Sequence, residues 1–203
     1  MSMELNEMQR SALQEAGNIG SGHAAIALSQ LMGRRIMIAI PSIQLFELEE
    51  LENIVNGKNK IFVQISFSVL GDVRGAIIFV LEKSMALRLC DVVMGQESGK
   101  TKLVSELEQS ALKEVGSILS ASYLNALSEM TKLSLIISVP EYSTGDARLI
   151  DTILVHKDLD PAKIKEGLCI KTEFIEFANR MEGYLIFVPT QDAIEKILNR
   201  LKV

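Results

Sequence analysis

Residues 10–32, RSALQEAGNIGSGHAAIALSQLM, return as residues 109–131, QSALKEVGSILSASYLNALSEMT. At this shift of 99 residues, Ser11, Ala12, Leu13, Glu15, Gly17, Ile19, Ser21, Ala27, Leu28 and Ser29 meet the same residue type, 10 of 23 positions without a gap. Self-similarity at a fixed shift marks an internal repeat. The punctuation repeats too: Pro41 lies 23 residues after Asn18, and Pro140 lies 23 after Ser117. Later, Gly75 and Ile78-Phe79-Val80 correspond to Gly183 and Ile186-Phe187-Val188. The chain therefore reads as two related halves, 1–98 and 103–203, joined by the polar stretch 96–102. They are expected to form a single domain over 1–203, because either half alone would bury little surface.

Working outward, the periodicity is helical over 5–32 and 104–130. Ser105 and Glu108 have the spacing of a capping box for the second helix. Short β-type runs follow at 35–40 and 133–139, and each is expected to stop at its proline. Runs at 61–70 and 76–81 flank the turn signal Gly71-Asp72, with counterparts at 168–177 and 184–188. Residues 150–155 are a further candidate strand, and 141–160 is the least repeat-like segment, a loop or edge structure. Amphipathic helices close the halves at 84–94 and 191–201. Long helices alternating with hairpin-like strand pairs predict an α+β fold with an antiparallel sheet and helices on one side.

Composition narrows the function. Of 203 residues, 48% are hydrophobic and 23% charged, a globular rather than a disordered balance. The longest nearly pure apolar run, 76–81, is far short of the ~20 residues that span a bilayer, so no membrane insertion is expected. A net charge of −5 argues against nucleic acid as a partner. No basic-then-apolar leader opens the sequence, which predicts a cytoplasmic protein. Cys90 and Cys169 sit in apolar patterns and read as reduced core residues. With His23 and His156 as the only histidines, ligands for zinc or haem are too few.

Projected at about 100° per residue, the first helix gathers Leu5, Ala12, Ala16, Ile19, Ala27 and Leu31 into an apolar arc. His23 projects onto that arc and is expected to be packed, and Met8, Met32, Met37, Met85 and Met94 read as core fillers. Opposite the arc, Ser11, Glu15, Asn18 and Gly22 form a narrow stripe, with Glu15 and Asn18 adjacent on one face. A polar stripe is commonly just a solvated face. Here the second helix repeats it as Ser110, Glu114, Ser117 and Ala121. The first helix also accepts Gly17, Gly20 and Gly22, each costing about 1 kcal/mol against alanine. Gly17 and Gly20 suit close packing inside the fold, whereas Gly22, on the stripe, suits a docking partner. The run Gly20-x-Gly22-x-x-Ala25 is no dinucleotide fingerprint, since it lies within a helical pattern rather than between a strand and a helix.

Ser11, Glu15, Asn18 and Pro41 complete a pattern of Ser or Asp, three residues, Glu, two residues, Asn, twenty-two residues, Pro. The stretch around it resembles the CheC family of chemotaxis phosphatases, and the duplication extends the resemblance over the whole chain; the fold it implies is two pseudo-symmetric repeats sharing an antiparallel sheet flanked by the long motif helices. The resemblance implies hydrolysis of the aspartyl phosphate on the response regulator CheY. It assigns Asn18 to orienting the attacking water and Glu15 to pairing with the regulator's active-site lysine, with Ser11 and Gly22 supporting or docking. Phosphoryl transfer needs mainly positioning, which suits an amide offering both donor and acceptor. No cofactor of the chain's own is implied, the Mg²⁺ being the regulator's. Phosphorylated CheY and the deamidase CheD are the implied partners.

The second copy departs from the pattern. Ser110, Glu114 and Pro140 are in place, but Ser117 stands where asparagine is expected. A hydroxyl on one carbon is shorter and lacks the amide's paired donor and acceptor. The second site is therefore expected to be weak or dead, with Glu114 and Ser110 retained for docking or support. The alternative to a phosphatase is a non-catalytic adaptor binding CheD, CheY or both.

Overall fold

The computed structural model describes residues 5–55, 57–146, 159, 164, 166–176 and 179–201. Two long helices carry the repeat, α1 (Glu7–Met32) and α4 (Glu106–Thr131). Each starts at a capping box. Asn6 Oδ1 accepts from the Gln9 N–H at 2.8 Å while Gln9 Oε1 accepts from the Asn6 N–H at 3.0 Å. In α4, Glu108 accepts from both the N–H and the hydroxyl of Ser105, the pair expected from the sequence. Those bonds hold the Glu108 carboxyl below the ordinary carboxylate range. The helices stop at equivalent places, Gly33 (φ 63°) and Lys132 (φ 58°). Glycine enters this left-handed conformation freely, and lysine does so at a cost.

Between and after these helices lie β1 (Met37–Glu47), a 3-10 turn (Leu48–Glu50), α2 (Leu51–Ile54), β2 (Phe62–Gly71), β3 (Gly75–Glu82) and α3 (Lys83–Val93). The second half adds β4 (Leu135–Ile137), β5 (Glu141–Gly145), β6 (Glu166–Glu176), β7 (Asn179–Pro189) and α5 (Gln191–Arg200). The sheet is antiparallel throughout, in the order β1-β6-β7-β3-β2-β4, with β5 also on β2. The halves thus exchange first strands: β1 pairs with β6, while β4 and β5 pair with β2. At the centre Ile78 faces Ile186, its own counterpart in the repeat. The pseudo-twofold axis passes between them.

Alternation along the central strands sends side chains to two cores. Ile77, Phe79, Leu81, Leu185 and Phe187 face α1, α3, α4 and α5. Phe79 and Phe174 meet there edge to face, centroids 5.8 Å apart, a pairing worth about 1 kcal/mol beyond burial. Ala76, Ile78, Val80, Ile186 and Val188 face the other way, covered by Leu51, Val55 and Ile164. The long helices do lie on one side, as expected, but the second face is also buried, against residues that include Leu51, Val55 and Ile164.

Several sequence expectations shift. The buried face of α1 is Leu13, Ala16, Gly17, Gly20, Ala24 and Leu28, rotated from the expected arc. Leu31 is exposed, and so is His23. Met8 and Met37 are exposed too, whereas Met32, Met85 and Met94 pack against the core. The reason is that glycine and alanine, weak in any hydrophobic count, form the contact surface of α1. A Cβ on Gly20 would lie 2.8 Å from Tyr123 Cα and 3.1 Å from the Ser122 carbonyl oxygen, so the backbones of α1 and α4 nearly touch. Gly17 packs on Ile43 and Ile40, and its counterpart Gly116 on Ile65. Pro41 does not end the first strand: β1 continues through it. Pro140 does lie in a gap, between β4 and β5. Residues 141–145 form an edge strand on β2, while the candidate strand 150–155 lies outside the described residues. Cys90 and Cys169 are free and buried, and burial pushes both thiols up to about 12.

The link between halves is tied down by one buried carboxylate. Asp91 on α3 accepts from the Gly99 N–H at 2.6 Å and the Thr101 N–H at 2.7 Å. Desolvation pushes its pKa up, but the bonds from Thr101, Gly99 and Lys100 outweigh it and hold the carboxyl below its ordinary value. A lowered folded pKa gives stability that is present above the unfolded value of about 3.9 and is lost as pH falls through the folded one. Asp91→Asn should therefore cost about 2–3 kcal/mol at pH 7, and urea titration should show the gap to wild type narrowing as pH falls below the unfolded value of about 3.9. A gap that does not narrow on acidification would mean the carboxylate charge is irrelevant. The helix crossing makes a second prediction. Gly20→Ala should lose about 1–2 kcal/mol, overpacking outweighing the helix-propensity gain of about 1 kcal/mol. Gly22→Ala, with nothing within 4 Å of the new Cβ, should gain up to about 1 kcal/mol. Equal effects in thermal unfolding would contradict the close crossing.

Candidate functional site

Because the small residues of α1 face inward, Ser11, Glu15, Asn18 and Gly22 all face outward and are exposed. The four are brought together as one stripe along the helix, as the sequence predicted. Two exposed apolar residues bracket them, Met8 at 61% and Ile26 at 62% accessibility. The centre of the stripe thus offers a carboxylate, which only accepts, one turn from an amide, which donates and accepts. Gly22 leaves the helix backbone open beside them, with no heavy atom within 4 Å of where a Cβ would stand.

The neighbouring strand organises the asparagine. Proline lacks an N–H and cannot continue a ladder. In β1 the register runs to Ala39↔Glu173 and resumes at Ser42↔Lys171, so Ile40 and Pro41 together oppose one residue of β6. This is a β-bulge. It turns the Ile40 carbonyl toward α1, where Gln14 Nε2 donates to it at 3.3 Å. The same nitrogen donates to Asn18 Oδ1 at 3.4 Å. A carbonyl only accepts, so the contact to Ile40 fixes which end of the Gln14 amide points inward. That in turn identifies the Asn18 atom it meets as oxygen, leaving Asn18 Nδ2 facing solvent. Reading the sequence alone missed Gln14, although an i, i+4 Gln–Asn pair is a recognisable helix signal.

The second stripe is arranged differently. Ser110 and Glu114 are exposed, and Ser117 and Ala121 are half-buried. Ser117 Oγ donates to the Lys113 carbonyl at 2.7 Å, and Ser110 Oγ to the Glu106 carbonyl at 2.9 Å. Both hydroxyls are turned back into their own helix. Val139, the counterpart of Ile40, has its carbonyl taken by Ser138 Oγ at 3.0 Å. Among the described residues, no group of three or more His, Cys, Asp or Glu side chains is placed to hold a metal ion, and no helix is long and apolar enough to cross a membrane.

Comparison with known proteins agrees with this architecture. The CheC-like family model matches residues 8–44 and again 107–143, two segments displaced by the same 99 residues as the repeat. The CheY-P phosphatase CheC of Bacillus subtilis is 29% identical over 198 residues, covering 95% of this chain and 93% of the relative. The flagellar motor switch phosphatase FliY of the same organism is 27% identical over 144 residues, covering 70% of this chain and 37% of that longer protein. The crystal structure of Thermotoga maritima FliY superposes with a TM-score of 0.79, covering 98% of each chain at 23% identity, and so shares the fold. With a copy of the matched segment at the head of each half, on paired helices against a shared antiparallel sheet, the chain is similar to the CheC-like family in both halves of its repeat.

Proposed function

We propose that this protein hydrolyses the aspartyl phosphate of a phosphorylated CheY-type response regulator, using Glu15 and Asn18 on α1. The observation that carries the reading is the Asn18 amide, held one turn from Glu15 on an exposed helix face. The names of its relatives support the same chemistry. In the reaction a water attacks phosphorus in line, the bond from phosphorus to the aspartyl oxygen breaks, and the products are the regulator's carboxylate and inorganic phosphate. The regulator contributes the phosphorylated aspartate and Mg²⁺, which neutralises charge on the phosphoryl oxygens. Asn18 contributes position: its amide binds the water without acting as a strong base. Glu15 contributes register, as a charge-assisted partner for a lysine beside the phosphoryl group.

The charge and shape of the stripe fit such a partner. The carboxylate sits between two exposed apolar residues, a polar centre with apolar flanks. Gly22 lets the partner approach the helix backbone. On this reading the protein works in the cytoplasm, where its regulator is, and CheD is a second partner that modulates the same activity.

The competing reading, an adaptor without turnover, draws its support from the second copy, where the Ser117 hydroxyl is committed to its own helix. The two separate in one assay, the decay of phosphorylated CheY with Mg²⁺. Wild type should accelerate decay, and Asn18→Ala should lower the rate roughly 10²-fold, as expected when a positioning group for the nucleophile is removed. Ser117→Asn should add little by itself, because no Gln14-like contact awaits the new amide. Binding of the regulator without any acceleration of decay would leave the adaptor reading in its place.

A further inference from the structure

We infer that Gln14 is a positioning residue for Asn18, linking the proline bulge of β1 to the amide that holds the attacking water; this deepens the phosphatase reading and rests on it for its kinetic part. The chain of causes is short. Pro41 forces two residues of β1 to oppose one of β6. The bulge presents the Ile40 carbonyl to α1. Gln14, half-buried one turn before Asn18, gives one amide hydrogen to that carbonyl and one to Asn18 Oδ1. Anchored to the sheet on one side, it orients the Asn18 amide on the other. Asn18 keeps Nδ2 and the second lone pair of Oδ1 for the partner and the water.

The second half lacks this relay. The carbonyl equivalent to Ile40 belongs to Val139, and Ser138 occupies it. The hydroxyl equivalent to Asn18 points to the Lys113 carbonyl. The proline at the end of the family pattern thus serves the site in the first half through a bond that the second half does not make. Both Gln14 contacts exceed the ~3.0 Å optimum for N–H···O bonds. They bias the amide rather than clamp it, so the effect should be modest and fall on turnover instead of binding.

The test compares wild type with Gln14→Met and Gln14→Glu. Methionine keeps length and packing but has no donor. Glutamate reverses the polarity and pulls the Asn18 amide round by accepting from Nδ2. Expected is a fall in kcat of roughly three- to tenfold for both, with KM for the phosphorylated regulator unchanged. The side-chain amide resonances of Asn18, assigned by their loss in Asn18→Ala, supply a readout independent of activity. They should show a less ordered amide in Gln14→Met and a shifted one in Gln14→Glu. Wild-type amide order and shift in both variants would overturn the inference, whatever the kinetics. If wild type itself fails to speed decay, the phosphatase reading falls, and the amide resonances still decide whether Gln14 positions Asn18.

Discussion

Each half of this protein gives its first strand to the other. β1 closes on β6, and β4 with β5 closes on β2, around a centre where Ile78 meets Ile186. A half on its own would leave β2 or β6 with an unpaired edge. The exchange also sets where the helices go. Each must run from its cap back to the start of a strand at the opposite side of the sheet, and the two paths cross over the same face. They cross so closely that Gly20 lies against the backbone at Tyr123. Everything functional follows from that crossing. It turns the small residues of α1 inward and so turns Ser11, Glu15, Asn18 and Gly22 out.

The same proline has two structural outcomes in the two halves. In β1 it is absorbed by a bulge, the strand continues, and one carbonyl is turned toward α1. In the second half the strand divides into β4 and β5, and one serine hydroxyl fills the gap: Ser138 Oγ accepts from the Ser68 N–H and donates to the Val139 carbonyl. A spacing of twenty-two residues between asparagine and proline is thus a spacing between a helix face and the carbonyl beneath it. The pattern reads as chemistry at its start and as backbone geometry at its end.

What the sequence disclosed follows from which signals are long-ranged and which are local. The duplication, the two long helices and the strand pairs were legible, because identity at a fixed shift and periodicity over several residues both survive averaging. The stripe was legible for the same reason. The rotational phase of α1 was not. Leu31 and Ile26 outweigh Gly17, Gly20 and Ala24 in any count of hydrophobicity, yet the latter are buried and the former exposed. Close backbone approach inverts the usual rule, because the contact selects against size. His23 was misplaced with the same error of phase. The part that Leu51 and Val55 play in covering the second sheet face was hidden because their helix, Leu51–Ile54, is too short to show a period. Gln14 went unnoticed because its role depends on a carbonyl 26 residues away whose direction only the bulge determines.

The two helices show why an outer stripe can differ between the halves while the inner face of the helix stays the same. The positions that match between α1 and α4 include Leu13 with Leu112, Gly17 with Gly116 and Leu28 with Leu127, and all of these are buried. Truncating a buried leucine costs about 2–5 kcal/mol, against total stabilities of about 5–15 kcal/mol. The stripe is outside that constraint. An exchange of asparagine for serine on the outer face costs the fold within about 0.5 kcal/mol, and Ser117 even finds a carbonyl of its own turn to bond. Stability therefore holds the inner face of α4 in place through Tyr123 and its neighbours, whatever becomes of the outer one. On α1 the outer face is tied to the inner architecture through Gln14 and the bulge. The halves then differ not in fold but in one polar relay, carried on helices that pack against each other at Gly20 and Tyr123.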